Sequence, residues 1–274
     1  MPMARTAGAV ASVERLDGAH LANALRAGIY RLFSRAEHLN KINVFPVPDG
    51  DTGTNLAMTL QAVLTAVERE PPLHAGALLT RAADAAIDGA RGNSGSILAQ
   101  FLLGVGDHAG ALETLSTSDF ADAIRAGANY ARDALTEPRE GTLLTVLSDY
   151  ANELKRLASA HATNDFTALF AQSTEKLHAS LAETRGRLPE MREANVVDAG
   201  AQGFVDLIDG MRSYFDTGEV GEAVRPHGDT HEAMAIGGAN SADRFCTECL
   251  VSGPTVDPRK LREQMSALGS SLVV

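Results

Sequence analysis

Apolar residues recur every three or four positions over eight stretches of this chain, about 16–39, 54–69, 76–89, 96–105, 119–135, 141–158, 165–183 and 200–214. None of the eight alternates in the manner of a strand. In the first, Leu21, Leu25, Ile29, Leu32, Ala36 and Leu39 form one stripe; in the sixth, Leu143, Leu147, Tyr150, Leu154 and Leu157 do the same. Such stripes bury against one another, so the periodicity predicts an all-α domain. Aromatic residues make up only 5% of the chain and Ala and Leu dominate the stripes, which favours helices that approach closely.

At 274 residues and 45% hydrophobic content the chain can bury a full domain and something more. Lys and Arg number 24 against 35 Asp and Glu, a net charge of −11, and no basic run offers a track for phosphodiesters. Nucleic acid and anionic membrane are therefore poor partners for this surface. No apolar run reaches the roughly 18 residues of a membrane span, and Glu14 and Arg15 follow the short N-terminal Ala/Gly/Val stretch closely, so the expected location is cytoplasmic.

The helical period lapses between 216 and 243 into Gly, Glu, Asp, His and small residues, which reads as a linker. After it, Arg244 to Val251 alternates like a strand, Pro258 to Leu268 reads as a helix opened by proline, and Ser271 to Val274 begins another β-branched run. The expected organisation is a helical domain over 14–215, a linker over 216–243, and an incomplete α/β segment over 244–274. A chain stopping inside a β-α-β start leads to the expectation of a fragment or truncated product. Cys246 and Cys249 are too few for a disulfide framework; their spacing fits a metal half-site, a redox pair or chance.

The loops carry the chemistry. Residues 43 to 55 read Asn-Val-Phe-Pro-Val-Pro-Asp-Gly-Asp-Thr-Gly-Thr-Asn. Pro46 and Pro48 stiffen the approach, Gly50 and Gly53 free the turn, and Asp49 and Asp51 present two carboxylates one residue apart. The stripe Leu56, Leu60, Val63, Leu64, Val67 follows at once, so the loop empties into a helix N-terminus, where N–H groups and dipole favour phosphate. A hard cation and a phosphate would meet there; an acidic turn that merely caps a helix is the other reading.

Three further helices open on similar strings. Gly89-Ala-Arg-Gly-Asn-Ser-Gly-Ser96 puts Gly92, Asn93 and Ser94 at one N-terminus, Gly141-Thr142 opens another, and Val196-Val-Asp-Ala-Gly-Ala-Gln-Gly203 a fourth. Each alone fits a turn with an N-cap. Glu183 to Asn195 shows no helical stripe and carries Arg185, Arg187 and Arg192, which suits a mobile cationic flap over phosphates or a solvated loop.

Taken together and in this order, these four motifs resemble the nucleotide-binding domain of fatty acid kinase catalytic subunits, itself similar to the L subunit of dihydroxyacetone kinases. The likeness runs from about residue 14 to 215, and Arg244 to Val251 with Leu268 to Val274 resembles the start of the same subunits' middle domain. It implies an antiparallel barrel of eight amphipathic helices. It also implies that Asp49 and Asp51 hold two Mg²⁺ ions bridging the phosphates of ATP or ADP. Asn43 stands where dihydroxyacetone kinases supply a third aspartate, and Asn55 assists. Thr52, Thr54, Gly92, Asn93, Ser94, Thr142 and Asp198 are the implied nucleotide contacts, with Arg187 the flap arginine that neutralises the departing phosphoryl group.

The activity implied is phosphoryl transfer from ATP to a fatty acid carboxylate presented by a separate fatty-acid-binding carrier protein, giving an acyl phosphate. A carboxylate acceptor is already ionised at neutral pH and needs no general base. Two rivals stand beside it: a dihydroxyacetone-type subunit acting on a hydroxyl, and a nucleotide-holding module without turnover. Any homodimer is expected to form through domains beyond this stretch. Cys246 matches the middle-domain pattern, whereas Cys249 does not.

Overall fold

A computed structural model describes residues 12–69, 74–159 and 163–225, together with positions 260, 261, 264 and 265. Among the described residues the architecture is all-α. The helices are α1 (Gly18–Lys41), α2 (Thr52–Arg69), α3 (Ala75–Gly89), α4 (Gly92–Ala109), α5 (Thr117–Asp133), α6 (Leu143–Ser159), α7 (Phe166–Arg187), α8 (Pro189–Ala194) and α9 (Ala199–Thr217). Eight of them fall on the eight predicted stretches, most starting a few residues earlier or ending later, because periodicity marks the buried stripe and not the polar first turn. The ninth, α8, spans six residues with a single buried side chain, Met191, too short to show a period.

The 183–195 stretch therefore departs from the flap expected of it. Glu183 to Arg187 is the last turn and a half of α7, and Pro189 at the start of α8 resumes the helix after Leu188. Proline at a first helical position sacrifices no hydrogen bond, which is why the chain restarts there. The expected linker is also partly committed: α9 runs to Thr217, Gly218 ends it at φ 74°, and Val220 and Val224 pack against the helical core. Lys260, Leu261, Gln264 and Met265 are helical within the predicted 258–268 helix. The remainder of the linker, both cysteines and the two predicted strands lie outside the described residues.

Each long helix packs on the next in sequence, and α9 packs on both α7 and α1, closing a ring. Alternation around such an up-and-down ring puts the starts of α2, α4, α6 and α9 at one end, with the ends of α1, α3, α5 and α7. The interior is filled by side chains. Phe204 meets Phe101 and Tyr150 edge-on at 5.5 and 5.8 Å, and Phe166, Phe170 and Phe215 stack beside Phe120. Close approach follows the small residues as expected: a Cβ on Gly210 would lie 2.6 Å from the Cα of Gly28, at the contact between α1 and α9.

Local caps hold the ring in register. Asp17 accepts the His20 N–H at the start of α1, Ser116 and Asp119 form a reciprocal capping box on α5, and Asp165 caps α7 while also accepting the Val13 N–H.

Candidate functional site

The four helix starts meet in fact as well as by topology. Thr59, on α2, accepts the Arg91 N–H at 3.1 Å and so ties the entry of α4 to α2. Gly92, at φ 60°, lies directly against the Asn55 side chain, with no room for a Cβ. A Cβ on Gly200 at the start of α9 would come within 2.8 Å of Ser94 Oγ on α4. Asp198 then joins α9 to α6, since its Oδ1 accepts the Ala201 N–H at 2.7 Å and the Leu143 N–H at 2.9 Å. The loop before α6 closes against α7, where Gly141, at φ 86°, sits under the Arg187 side chain. Positive φ and that contact together explain the glycine.

The α1–α2 loop brings the acidic pair to this end. Asp49 and Asp51 are both exposed, and the Asp51 carboxyl is pushed up to about 6. Burial of part of the group is the main cause, followed by a hydrogen bond with Asp49 and that neighbour's charge, while a hydrogen bond from Asn55 opposes the rise. Asn43 lies 5% exposed beneath the pair, its Nδ2 donating to Asp49 Oδ1 at 2.6 Å. Its Oδ1 is buried with no hydrogen-bond partner. An orphaned amide oxygen beside two mutually repelling carboxylates is a set of hard oxygen donors lacking positive charge, and a divalent cation of the Mg²⁺ type fits it. Among the described residues no three His, Cys, Asp or Glu side chains are placed to hold a metal ion together, so the donor set here is two carboxylates and an amide.

The remaining predicted residues fall into distinct positions. Thr52 is buried in the first turn of α2, and Asn93 and Ser94 lie in the first turn of α4, whose preceding residue, Arg91, supplies no side-chain cap. Thr54 is less available than expected: Asn40 accepts its N–H at 3.1 Å and donates to its Oγ1 at 3.0 Å, which turns it toward α1. Thr142 is buried and donates to the Arg139 carbonyl at 2.7 Å. Asp198 is buried, its carboxyl pushed up to about 6 by burial against the pull of its two backbone hydrogen bonds. An oxygen shared by two amides ties the starts of α6 and α9 together. Arg187 is exposed and paired with Glu183 at 2.9 Å.

Sequence reasoning missed the supports. Asn40, Thr59 and Thr184, which accepts the Asp198 N–H at 3.0 Å, hold the loops in place. Each is a polar residue set within or beside an apolar stripe, and that interruption was the available signal.

The DAK2 domain model matches residues 46–213, which spans the acidic loop and all four helix starts. The chain belongs to the DAK2 domain family. Protein YloV of Bacillus subtilis is 34% identical over 96% of this chain and 50% of its own length, and a Staphylococcus saprophyticus protein is 33% identical over 96% and 49%. The chain thus spans about half the length of the curated relatives it matches. The fold is that of part of the dihydroxyacetone kinase of C. freundii: the native form superposes with a TM-score of 0.55 at 16% identity, covering 78% of this chain and 37% of that one. The same kinase in complex with AMP-PNP and Mg²⁺ superposes with a TM-score of 0.54 at 15% identity over the same shares.

Proposed function

We propose that this chain binds Mg·ATP at the end of the ring where α2, α4, α6 and α9 begin, and that it is the nucleotide-binding part of a phosphotransferase. The observation that carries the reading is the Asp49–Asp51 pair over the orphaned, buried Asn43 oxygen, set where helix N-termini converge. Support comes from the family and from the fold shared with a kinase that has been seen with AMP-PNP and Mg²⁺.

In this reading Asp49, Asp51 and Asn43 hold the metal, two ions being the number that the likeness to kinase subunits suggests. Bound Mg²⁺ supplies charge neutralisation to the phosphate oxygens. Thr52, Gly92, Asn93 and Ser94 line the phosphate path with backbone N–H groups and hydroxyls at two helix starts. Asn55 steadies Asp51, while Asp198 keeps the starts of α6 and α9 together. Arg187 leaves Glu183 for the γ-phosphoryl group, its stem resting on Gly141, and stabilises charge as transfer proceeds.

The acceptor we favour is a fatty acid carboxylate, presented in the cytoplasm by a separate carrier protein. An ionised carboxylate attacks without a base. Among the described residues no helix is long and apolar enough to cross a membrane. The test is acyl phosphate formation, trapped with hydroxylamine, from the protein as the cell makes it, with ATP, Mg²⁺ and a fatty-acid-loaded carrier. Product with the carrier supports the reading. Product from dihydroxyacetone and none from the fatty acid would replace it with the hydroxyl-acceptor alternative.

A further inference from the structure

A concavity opens on the flank of the same end, between the C-terminal end of α1, α7, the 195–197 segment and α9. It encloses about 450 Å³, within the usual range for small-molecule sites. Ile42, Leu181, Val196 and Val197 give it an apolar wall, Arg185 and His178 stand on the α7 side, and His38 on the α1 side. The chain carries 35 acidic residues against 24 basic ones, yet no Asp or Glu lines this cleft.

The two carboxylates behind it are already engaged. Asp209 lies 2.9 Å from His178 Nε2 and 3.3 Å from Arg31, and Asp206 accepts from Gln202 at 3.3 Å with Arg35 at 3.6 Å. Arg185 differs from its neighbour Arg187: among the described residues it has neither an ion pair nor a hydrogen bond, whereas Arg187 is held by Glu183. An unpaired guanidinium on the edge of an acid-free, apolar-walled cleft is a complementary surface for one negative charge attached to a hydrocarbon body.

We propose that this cleft binds a small organic carboxylate, with the carboxylate on Arg185 and its hydrocarbon part against Ile42, Leu181, Val196 and Val197. The planar fork of arginine matches a carboxylate, and a single uncompensated cation suits a monoanion better than a phosphate dianion. The site is separate from the acidic loop and stands whether or not that loop binds nucleotide.

The experiment is calorimetric titration of the 274-residue chain with hexanoate, in EDTA and without nucleotide, beside methyl hexanoate and inorganic phosphate. Saturable hexanoate binding is expected, with the ester and phosphate each weaker by about tenfold or more, since one lacks the charge and the other the apolar body. Arg185→Ala should weaken hexanoate by about tenfold, Arg185→Lys by less, and Arg192→Ala, on the neighbouring α8, not at all. Arg185 is exposed, so circular dichroism of the variants should match the parent. Absence of saturable binding, equal affinity in Arg185→Ala, or phosphate binding as tightly as hexanoate would each overturn the proposal.

Discussion

Asp51 and Asp198 lie at the same end of the helical ring, and both carboxyls are pushed up to about 6, but their surroundings are opposite. Asp51 is exposed beside a second carboxylate and above an amide oxygen with no partner. Asp198 is buried and has the N–H groups of Leu143 and Ala201 on one oxygen. The first arrangement leaves a buried oxygen without a donor, whereas the second gives its oxygen two. A raised pKa therefore does not by itself mark a binding group; what separates the two is whether the neighbours already satisfy the charge.

The contrast extends to the helix starts. At α6 and α9 the chain caps its own N-termini with Asp198, whereas α4 begins without a capping side chain. At α2 the protein also supplies a partner, since Asn40 accepts the Thr54 N–H at 3.1 Å.

The sharpest way to break this contrast is to exchange the two aspartates' fates. Asp49→Ala and Asp51→Ala should each lower metal-dependent nucleotide affinity by at least about a thousandfold while changing stability by no more than about 0.5 kcal/mol, since both are exposed loop residues. Calorimetry and thermal melts check both halves. Unfolding of either variant at room temperature would make the loop acids structural.

Next in size is Arg187→Ala, measured in the protein as the cell makes it. Phosphoryl transfer should fall by about a hundredfold, with nucleotide affinity kept within a few-fold, as for a contact that strengthens in the transition state. Equal turnover would remove Arg187 from the reaction.

Asp198→Ala should cost about 2–3 kcal/mol, because two buried N–H groups lose a charged acceptor. The pH dependence gives a second handle. With its folded-state value near 6 against 3.8 ordinarily, Asp198 keeps a proton in the folded chain that the unfolded chain releases, so through this group stability falls as pH rises from about 4 to about 6. Asp198→Asn removes that term, and its stability relative to the parent should improve over the same window. A difference flat with pH would contradict the buried-acid account.

The smallest effect is expected at Gly141→Ala. Positive φ and contact with Arg187 should cost about 1–2 kcal/mol and displace the arginine, lowering transfer more than nucleotide affinity. A melt unchanged from the parent would mean that the turn relaxes freely.

Most of the ring was legible because long apolar stripes report burial directly, as in α1 and α6. The turn into α2 could be placed because Pro46, Pro48, Gly50 and Gly53 mark it directly. What escaped is local and relational. The six residues of α8 bury only Met191, so the 183–195 stretch read as a flap or a solvated loop rather than as helix. Thr54 looked free because nothing in the chain announces that Asn40, fourteen positions earlier, takes both its N–H and its hydroxyl. The tie from Asp198 to Leu143 could not be read because the two lie 55 residues apart.

The central claim is that the loop around Asp49 and Asp51 is completed by a divalent cation and, through it, by nucleotide. Calorimetric titration of the chain with AMP-PNP tests it most directly, once with excess Mg²⁺ and once in EDTA. The account predicts saturable binding with Mg²⁺, none in the chelator, and recovery when Mn²⁺ is added, because two carboxylates would otherwise repel the phosphates. Affinity undiminished in EDTA would contradict it.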